Sequence, residues 1–169
     1  ATPAEVQKIE LLMRQLNLDS SRRSTVQPAL ALAEQTGEPA VAMELNDGRI
    51  ITGKTTTLLG AASAALLNAL KALAGIPDEI KLISPNVIEP IQHLKVAHMG
   101  NRNPLMHIDE ILIALTICAV TDDNAEQAME QLSVLRGCEL HSSVILSEVD
   151  EQTFKRLGVN LTCQPRYKN

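Results

Sequence analysis

The dipeptide Asp47-Gly48 lies between two short apolar runs, at residues 39–45 and 49–52. Asp-Gly in this position is a strong local signal for a β-hairpin, because the tight turn needs backbone angles that glycine adopts without strain. The segment that follows, residues 55–74, has a helical pattern and is rich in small residues, mainly alanine, with Gly60 and Ser63 among them. Small side chains allow close packing between elements, so we expect this helix at the centre of the fold.

Further elements can be assigned on both sides of this pair. Asp19 or Ser20 is expected to cap an early helix that Pro28 interrupts, because proline lacks an amide donor. Two late strands, at residues 140–146 and 159–163, flank a short helix at residues 150–157. The sequence therefore predicts an α+β fold. A small mixed or antiparallel sheet, made from the hairpin plus the two C-terminal strands, packs against several helices, one of them the central Ala/Gly-rich helix.

Composition limits both the core and the classes of partner. Only 1% of the 169 residues are aromatic and none is Trp, so Leu, Ile, Val, Ala and Met must build the core. The net charge is −5. A nucleic-acid binder would show a basic face or stacking aromatic residues, and the chain has neither, so we predict no nucleic-acid partner. Apolar runs are too short for a membrane span, so no membrane partner is expected either.

The cysteines and the first residue bear on the compartment and on the parent chain. Three cysteines without a CxxC pair favour reduced thiols in a cytoplasmic protein. The chain begins at Ala1 rather than at Met, which indicates an excised or processed piece. Residues 1–169 are thus predicted to form a single domain, the C-terminal fragment of a longer multidomain chain.

Residues 48–55 match the P-loop pattern G-x-x-x-x-G-K-[ST]. In a P-loop the first glycine follows a buried parallel strand, whereas Gly48 completes an Asp-Gly turn and Ile50 and Ile51 have strand character. We therefore favour a hairpin over a nucleotide-binding loop. A weaker alternative keeps the second half of the pattern. Its anion site would use backbone amides and a lysine at a helix start, contributed by Gly53, Lys54, Thr55 and Thr56.

Two polar clusters are candidates for general acid/base chemistry. Alternation along a strand places Glu139 and His141 on one face and Cys138 on the other, which weakens a nucleophile–base pairing of Cys138 with His141. The structural alternative is a hydrogen-bonded histidine at the rim of the sheet. His107 and Glu110 lie at a helix start, where they could hold a metal or transfer a proton. The alternative there is that the acidic residues complement the helix dipole. The structural interpretations are favoured, and no metal site is predicted.

Long ordered runs resemble one uncharacterised bacterial family, catalogued as domain-of-unknown-function family 1846. The runs that carry the resemblance are residues 47–55, 82–85, 88–91, 103–104, 107 with 109–110, 137–139, 141–151 and 157–163. The resemblance covers nearly the whole chain and implies the C-terminal part of longer cytosolic proteins. It also implies a separate glycine-rich, phosphate-loop-like stretch upstream, which further weakens the match at residues 48–55. No activity, cofactor or catalytic residue is implied.

Two hypotheses about function remain. In the first, the chain is an accessory or oligomerisation domain of a cytosolic bacterial multidomain protein. Its loops around Lys54, Ser84, His107 and His141 help to complete an active site with the missing N-terminal part, or it holds the subunits of a homo-oligomer together. In the second, the domain itself binds a phosphorylated or carboxylated small molecule at residues 53–57. The sequence leaves the substrate and the cofactor undetermined, and it does not decide whether the protein is an enzyme.

Overall fold

The computed structural model describes residues 2–15 and 23–167. Helix α1 (Pro3–Gln15) comes first, followed by α2 (Val26–Thr36). The cap expected at Asp19 or Ser20 lies outside the described residues. Pro28 does not interrupt α2. It is the third residue of the helix, in the first turn, where an amide donor is not required.

A four-stranded mixed sheet follows in the order β2-β1-β3-β4. The strands are β1 (Ala40–Glu44), β2 (Ile50–Lys54), β3 (Glu139–Ser142) and β4 (Asn160–Cys163). Strand β1 pairs antiparallel with both β2 and β3, whereas β3 and β4 are parallel. A parallel pair needs a crossover, and helix α7 (Glu148–Arg156) supplies it.

The hairpin between β1 and β2 is confirmed, although its turn is longer than the Asp-Gly dipeptide alone. The amide of Leu45 donates to the carbonyl of Arg49 at 2.9 Å, and the amide of Gly48 donates to the carbonyl of Leu45 at 2.9 Å. Three residues therefore form the loop. Gly48 has a φ of 88°, the left-handed conformation for which this position selects glycine.

The central small-residue helix is α3 (Ala61–Ala74), which begins at Ala61 and not at Thr55. A Cβ atom added at Gly53 would lie 2.2 Å from the backbone nitrogen of Ala65. Strand β2 therefore crosses α3 with backbone almost touching backbone, and this contact requires glycine on the strand. Ala61, Ala62, Ala65, Leu66, Ala69 and Leu70 are buried on α3. The predicted central position of this helix is confirmed.

The remaining helices form the other side of the core. They are α4 (Pro85–His93), α5 (Ile108–Cys118) and α6 (Asp123–Glu130). A π-helical turn (Leu94–His98) continues α4, and a 3-10 turn (Leu132–Leu135) follows α6. None of the helices in the described ranges is long and apolar enough to cross a membrane. The predicted fold class, α+β with a small mixed sheet from the hairpin and two late strands, is confirmed.

Candidate functional site

The start of helix α5 brings together side chains from three elements. His107 precedes the helix in an extended conformation, and its ring lies beside the first turn of α7. The loop before His107 is fixed against the start of α3. The amide of Met106 donates to the carbonyl of Leu58 at 3.1 Å, and the hydroxyl of Ser63 donates to the carbonyl of Met106 at 2.7 Å. His107 is thus attached to a rigid part of the core.

The ring of His107 is held by a carboxylate. Nδ1 of His107 lies 3.3 Å from Oδ2 of Asp150. Oδ1 of Asp150 accepts a hydrogen bond of 3.0 Å from the amide of Ile108, the first residue of α5. An ionised carboxylate only accepts hydrogen bonds, so Nδ1 carries the proton in this pair. The neutral ring then has its lone pair on Nε2, which makes no hydrogen bond to the residues that the structure describes.

A second ion pair lies beside the first. Lys95, in the π-helical turn, is buried, and its Nζ donates to Oε1 of Glu110 at 2.6 Å and to the carbonyl of Leu105 at 2.7 Å. The same Oε1 atom accepts from the backbone amide of His107 at 2.9 Å. Glu110 therefore neutralises a buried lysine and caps the helix that follows His107. A paired, hydrogen-bonded arrangement is what a buried charge requires.

The surroundings of His107 tune its protonation. The hydrogen bond to Asp150 raises the pKa of His107, and it outweighs the partial burial of the ring, which acts in the opposite direction. The side chain is 32% exposed. A histidine with a raised pKa, an orienting carboxylate on Nδ1 and solvent access to the ring can accept a proton at Nε2.

Glu139 and His141 form a separate cluster on β3. They point to the same face of the sheet, as strand alternation predicts, and His141 pairs with Thr162 on β4. Nδ1 of His141 lies 2.6 Å from Oγ1 of Thr162, and Nε2 of His141 lies 3.0 Å from the side-chain nitrogen Nε2 of Gln164. Burial, with the charge of Arg23 as a smaller cause, lowers the pKa of His141 to about 4. A neutral, enclosed histidine of this kind favours the structural interpretation.

Arg23 links the members of this second cluster. Its guanidinium group forms a salt bridge with Glu139, and it donates to the carbonyl of Asn160 at 3.0 Å and to the hydroxyl of Thr162 at 2.5 Å. No hydrogen bond or ion pair among the described residues joins this cluster to His107. Helix α7 lies between the two: Asp150 contacts His107, whereas Glu151 and Lys155 line a cleft of about 380 Å³ beside Arg23 and Glu139.

The candidate anion site at Gly53, Lys54, Thr55 and Thr56 lies at the end of a strand and not at a helix start. Lys54 is exposed. The amide of Thr55 donates to the carbonyl of Pro39 at 3.0 Å, and the amide of Thr56 donates to the carbonyl of Leu59 at 2.9 Å. The hydroxyl of Thr56 accepts from the amides of Leu58 and Leu59. The backbone amides of these two threonines, which an anion site would need as donors, therefore already donate to carbonyl groups of the protein.

The cysteines are not activated. Burial raises the pKa of Cys138 and of Cys163, so both are neutral thiols near pH 7. Among residues 2–15 and 23–167, no group of three or more His, Cys, Asp and Glu side chains lies close enough together to hold a metal ion. The two candidate histidines therefore differ in their surroundings, because His107 is partly exposed and His141 is buried.

Sequence reasoning identified His107 and Glu110 but missed both of their charged partners. A local signal existed for Asp150: the hydroxyl of Ser147 accepts from the amide of Asp150 at 3.2 Å, and Ser-x-x-Asp is a helix-start pattern. That signal explains the helix but not the second role of the carboxylate on α5. Lys95 gave no comparable signal, because its partner Glu110 lies on a different element.

Comparison with known proteins gives a consistent picture. A family model described as "Domain of unknown function DUF1846, C-terminal" matches residues 21–169. A UPF0371 protein of Corynebacterium efficiens is 51% identical over 161 residues, which is 95% of this chain and 32% of the relative. A UPF0371 protein of Streptococcus thermophilus is 48% identical over 163 residues, with 96% and 33% covered. The chain thus spans about a third of the length of these relatives.

Proposed function

This chain belongs to the DUF1846 family as its C-terminal domain, and we propose that it is an accessory domain of a cytoplasmic bacterial protein in which His107 acts as a general base. In this proposal the rest of the parent chain completes the site. The observation that carries it is the pairing of His107 with Asp150, which holds Nδ1 and leaves Nε2 directed away from the pair. Oδ1 of Asp150 already accepts from the amide of Ile108. If His107 served only to begin the helix, its ring would not need Oδ2 of the same carboxylate as a partner.

The chemistry follows from the two ends of the imidazole ring. Asp150 fixes the tautomer and the orientation of the ring and stabilises the imidazolium that forms when Nε2 takes a proton. Its own position is fixed by the amide of Ile108, so the pair is preorganised before any ligand arrives. His107 is the proposed catalytic residue, and Asp150 is a positioning residue that acts through it.

The neighbouring ion pair supports the same assignment. Glu110 is occupied by Lys95 and by the amide of His107, so its role in the proposal is to hold the start of α5 and not to transfer protons. Since this site presents one base on a domain surface, substrate-binding groups must come from elsewhere. The relatives are about three times as long as this chain, and the remainder of the parent supplies those groups in the proposal.

The anion-binding alternative receives less support from the geometry. An anion site at Lys54 would need free backbone amides beside the lysine. The amides of Thr55 and Thr56, however, already donate hydrogen bonds to carbonyl groups. Melting temperatures of the wild type and of the Lys54→Ala variant, with nucleotides and sugar phosphates added, separate the two proposals. We expect that no added ligand shifts the melting temperature of the wild type relative to that of the Lys54→Ala variant. A phosphate ligand that stabilises only the wild type would favour the anion site.

Carbethoxylation of the full-length parent chain tests the proposal. The unprotonated imidazole nitrogen attacks a carbonyl carbon of diethyl pyrocarbonate, and mass spectrometry gives the rate for each histidine as a function of pH. We expect His107 to react with a midpoint above the ordinary histidine pKa of about 6.5, and Asp150→Asn to lower that midpoint. The buried His141 serves as the unreactive internal control. A protected His107, or a midpoint that Asp150→Asn leaves unchanged, would contradict the proposal.

A further inference from the structure

Helix α5 presents a row of large apolar side chains to solvent. Ile113, Ile117 and Val120 are 63%, 65% and 82% exposed. They follow one another at intervals of four and three residues, so they lie along one side of the helix and its C-terminal continuation. The opposite side, with Ile108, Ile111, Ala114 and Leu115, is buried in the core. The helix is therefore apolar on both sides.

The exposed side also lacks charge. No Asp, Glu, Lys or Arg occurs in residues 111–121. Thr116 is the polar residue between the two isoleucines. Its hydroxyl donates to the carbonyl of Leu112 at 2.7 Å, so this donor already has an acceptor within the helix. A surface helix normally carries charged or polar residues on its outer face, and a helix that is apolar all round is normally buried. This composition is that of a covered surface.

We propose that the face formed by Ile113, Ile117 and Val120 is the surface on which the rest of the parent chain docks. The chain spans 32% of the Corynebacterium efficiens relative, which leaves about two thirds of that length to fold beside it. Domains of one chain commonly share interfaces of roughly 600 to 1,500 Å². An uncharged face calls for an apolar patch on the partner surface.

The position of this face deepens the proposed function, on which it rests. Helix α5 carries His107 at its N-terminal end and the apolar face along its outer side. A body that covers Ile113 and Ile117 therefore sits within a few turns of His107. The docked part of the parent chain is the source of the groups that complete the site around Nε2.

Hydroxyl-radical footprinting of the full-length chain tests the docking. Val120 and Val149 have the same intrinsic reactivity, and in this domain Val120 is 82% exposed whereas Val149, on α7, is 48% exposed. If the rest of the chain covers the face, Val120 is oxidised more slowly than Val149, the reverse of the order that these exposures give. If Val120 is oxidised faster than Val149, the face is open and the proposal fails.

Two variants and a dilution series complete the test. In the double variant Ile113→Lys and Ile117→Lys, docking weakens by at least about tenfold, because each isoleucine loses its burial, and oxidation of Val120 rises. Lysine suits the C-terminal half of a helix, so α5 itself is retained. The control Ile50→Lys, on β2, leaves Val120 protected. A double variant that leaves Val120 protected would overturn the proposal.

Dilution identifies the occupant. Protection of Val120 by the same chain does not change with protein concentration, whereas protection by a second copy falls on dilution and would overturn the proposal. The wild-type order of Val120 and Val149 does not depend on any variant. The test is also independent of the carbethoxylation of His107, so docking and base chemistry can each fail alone.

Discussion

Oδ2 of Asp150 lies 3.3 Å from Nδ1 of His107, although the two residues are 43 positions apart and lie at the starts of different helices. The other oxygen of the same carboxylate caps the first amide of α5. The side chain of Asp150 thus orients the histidine and also accepts from one of the amides at the start of α5 that have no acceptor within that helix. The histidine and the two helix starts form one unit.

The first prediction concerns stability between pH 6 and pH 8. Asp150 raises the pKa of His107 in the folded chain, so the pair's contribution is fully present below about pH 6.5 and is lost as the pH rises through the folded pKa. The free energy of unfolding should therefore fall between pH 6 and pH 8, by less than about 1 kcal/mol for a partly exposed pair. Urea denaturation of this chain at several pH values measures it. In Asp150→Asn the decline should be smaller, and an unchanged decline would count against the pair.

The second prediction concerns the loss of stability at acidic pH. Burial lowers the pKa of His141 to about 4 in the folded chain. An unfolded histidine titrates near 6.5, so the contribution of neutral His141 is present above pH 6.5 and is lost as the pH falls toward 4, by about 3 kcal/mol. Denaturation curves for the wild type and for His141→Asn between pH 7 and pH 4 measure the difference. Parallel pH dependences in the two proteins would show that His141 is not the group responsible.

The third prediction concerns the crossing of β2 and α3. Gly53→Ala places a Cβ atom 2.2 Å from the nitrogen of Ala65, and neither backbone can yield without shifting a central element. We expect a loss of more than about 3 kcal/mol of stability, or failure to fold. Gly48→Ala is the matched control. Its Cβ meets no atom within 4 Å, so only the left-handed backbone costs energy, about 1 kcal/mol. Equal losses in the two variants, measured by chemical denaturation, would argue against the close crossing.

The fourth prediction concerns the buried lysine. Lys95→Met keeps most of the apolar stem but removes the ammonium donor from the carbonyl of Leu105 and from the carboxylate of Glu110, which keeps the amide of His107 as a donor. Stability should fall by about 2 to 3 kcal/mol. Adding Glu110→Gln removes the stranded charge and keeps an acceptor for the amide of His107, so the double variant should recover about 1 kcal/mol relative to additivity. A double-mutant cycle with no coupling would mean that the two charges do not stabilise each other.

The elements with local signals were predictable, and the elements fixed by distant contacts were not. Asp47-Gly48 predicted the hairpin, and the run of small residues predicted α3. The start of α3 at Ala61 could not be read from the sequence, because residues 55–60 are held by the hydroxyl of Thr56 and by a bridge between Leu59 and Met106. Helical propensity alone would have continued the helix back to Thr55.

In the candidate site too, residues with a local sequence signal were predictable, and residues brought in by tertiary contacts were not. Alternation along a strand placed Glu139 and His141 on one face, and the helix start placed His107 near Glu110. Asp150 and Lys95 come from other elements, and no spacing along the chain reports that they meet this helix start. The sequence thus supplies the titratable groups, whereas tertiary packing decides that His107 is partly exposed with a raised pKa and that His141 is buried with a lowered pKa.

Nitrogen NMR of histidines in the full-length parent chain, recorded as a function of pH, is the sharpest test of the pairing between His107 and Asp150. We expect His107 to titrate above the ordinary value of about 6.5, and we expect its neutral form to carry the proton on Nδ1, with Nε2 unprotonated. Asp150→Asn should lower that pKa. A His107 that titrates at or below 6.5, or whose neutral form carries the proton on Nε2, would contradict the claim that Asp150 holds it as a base.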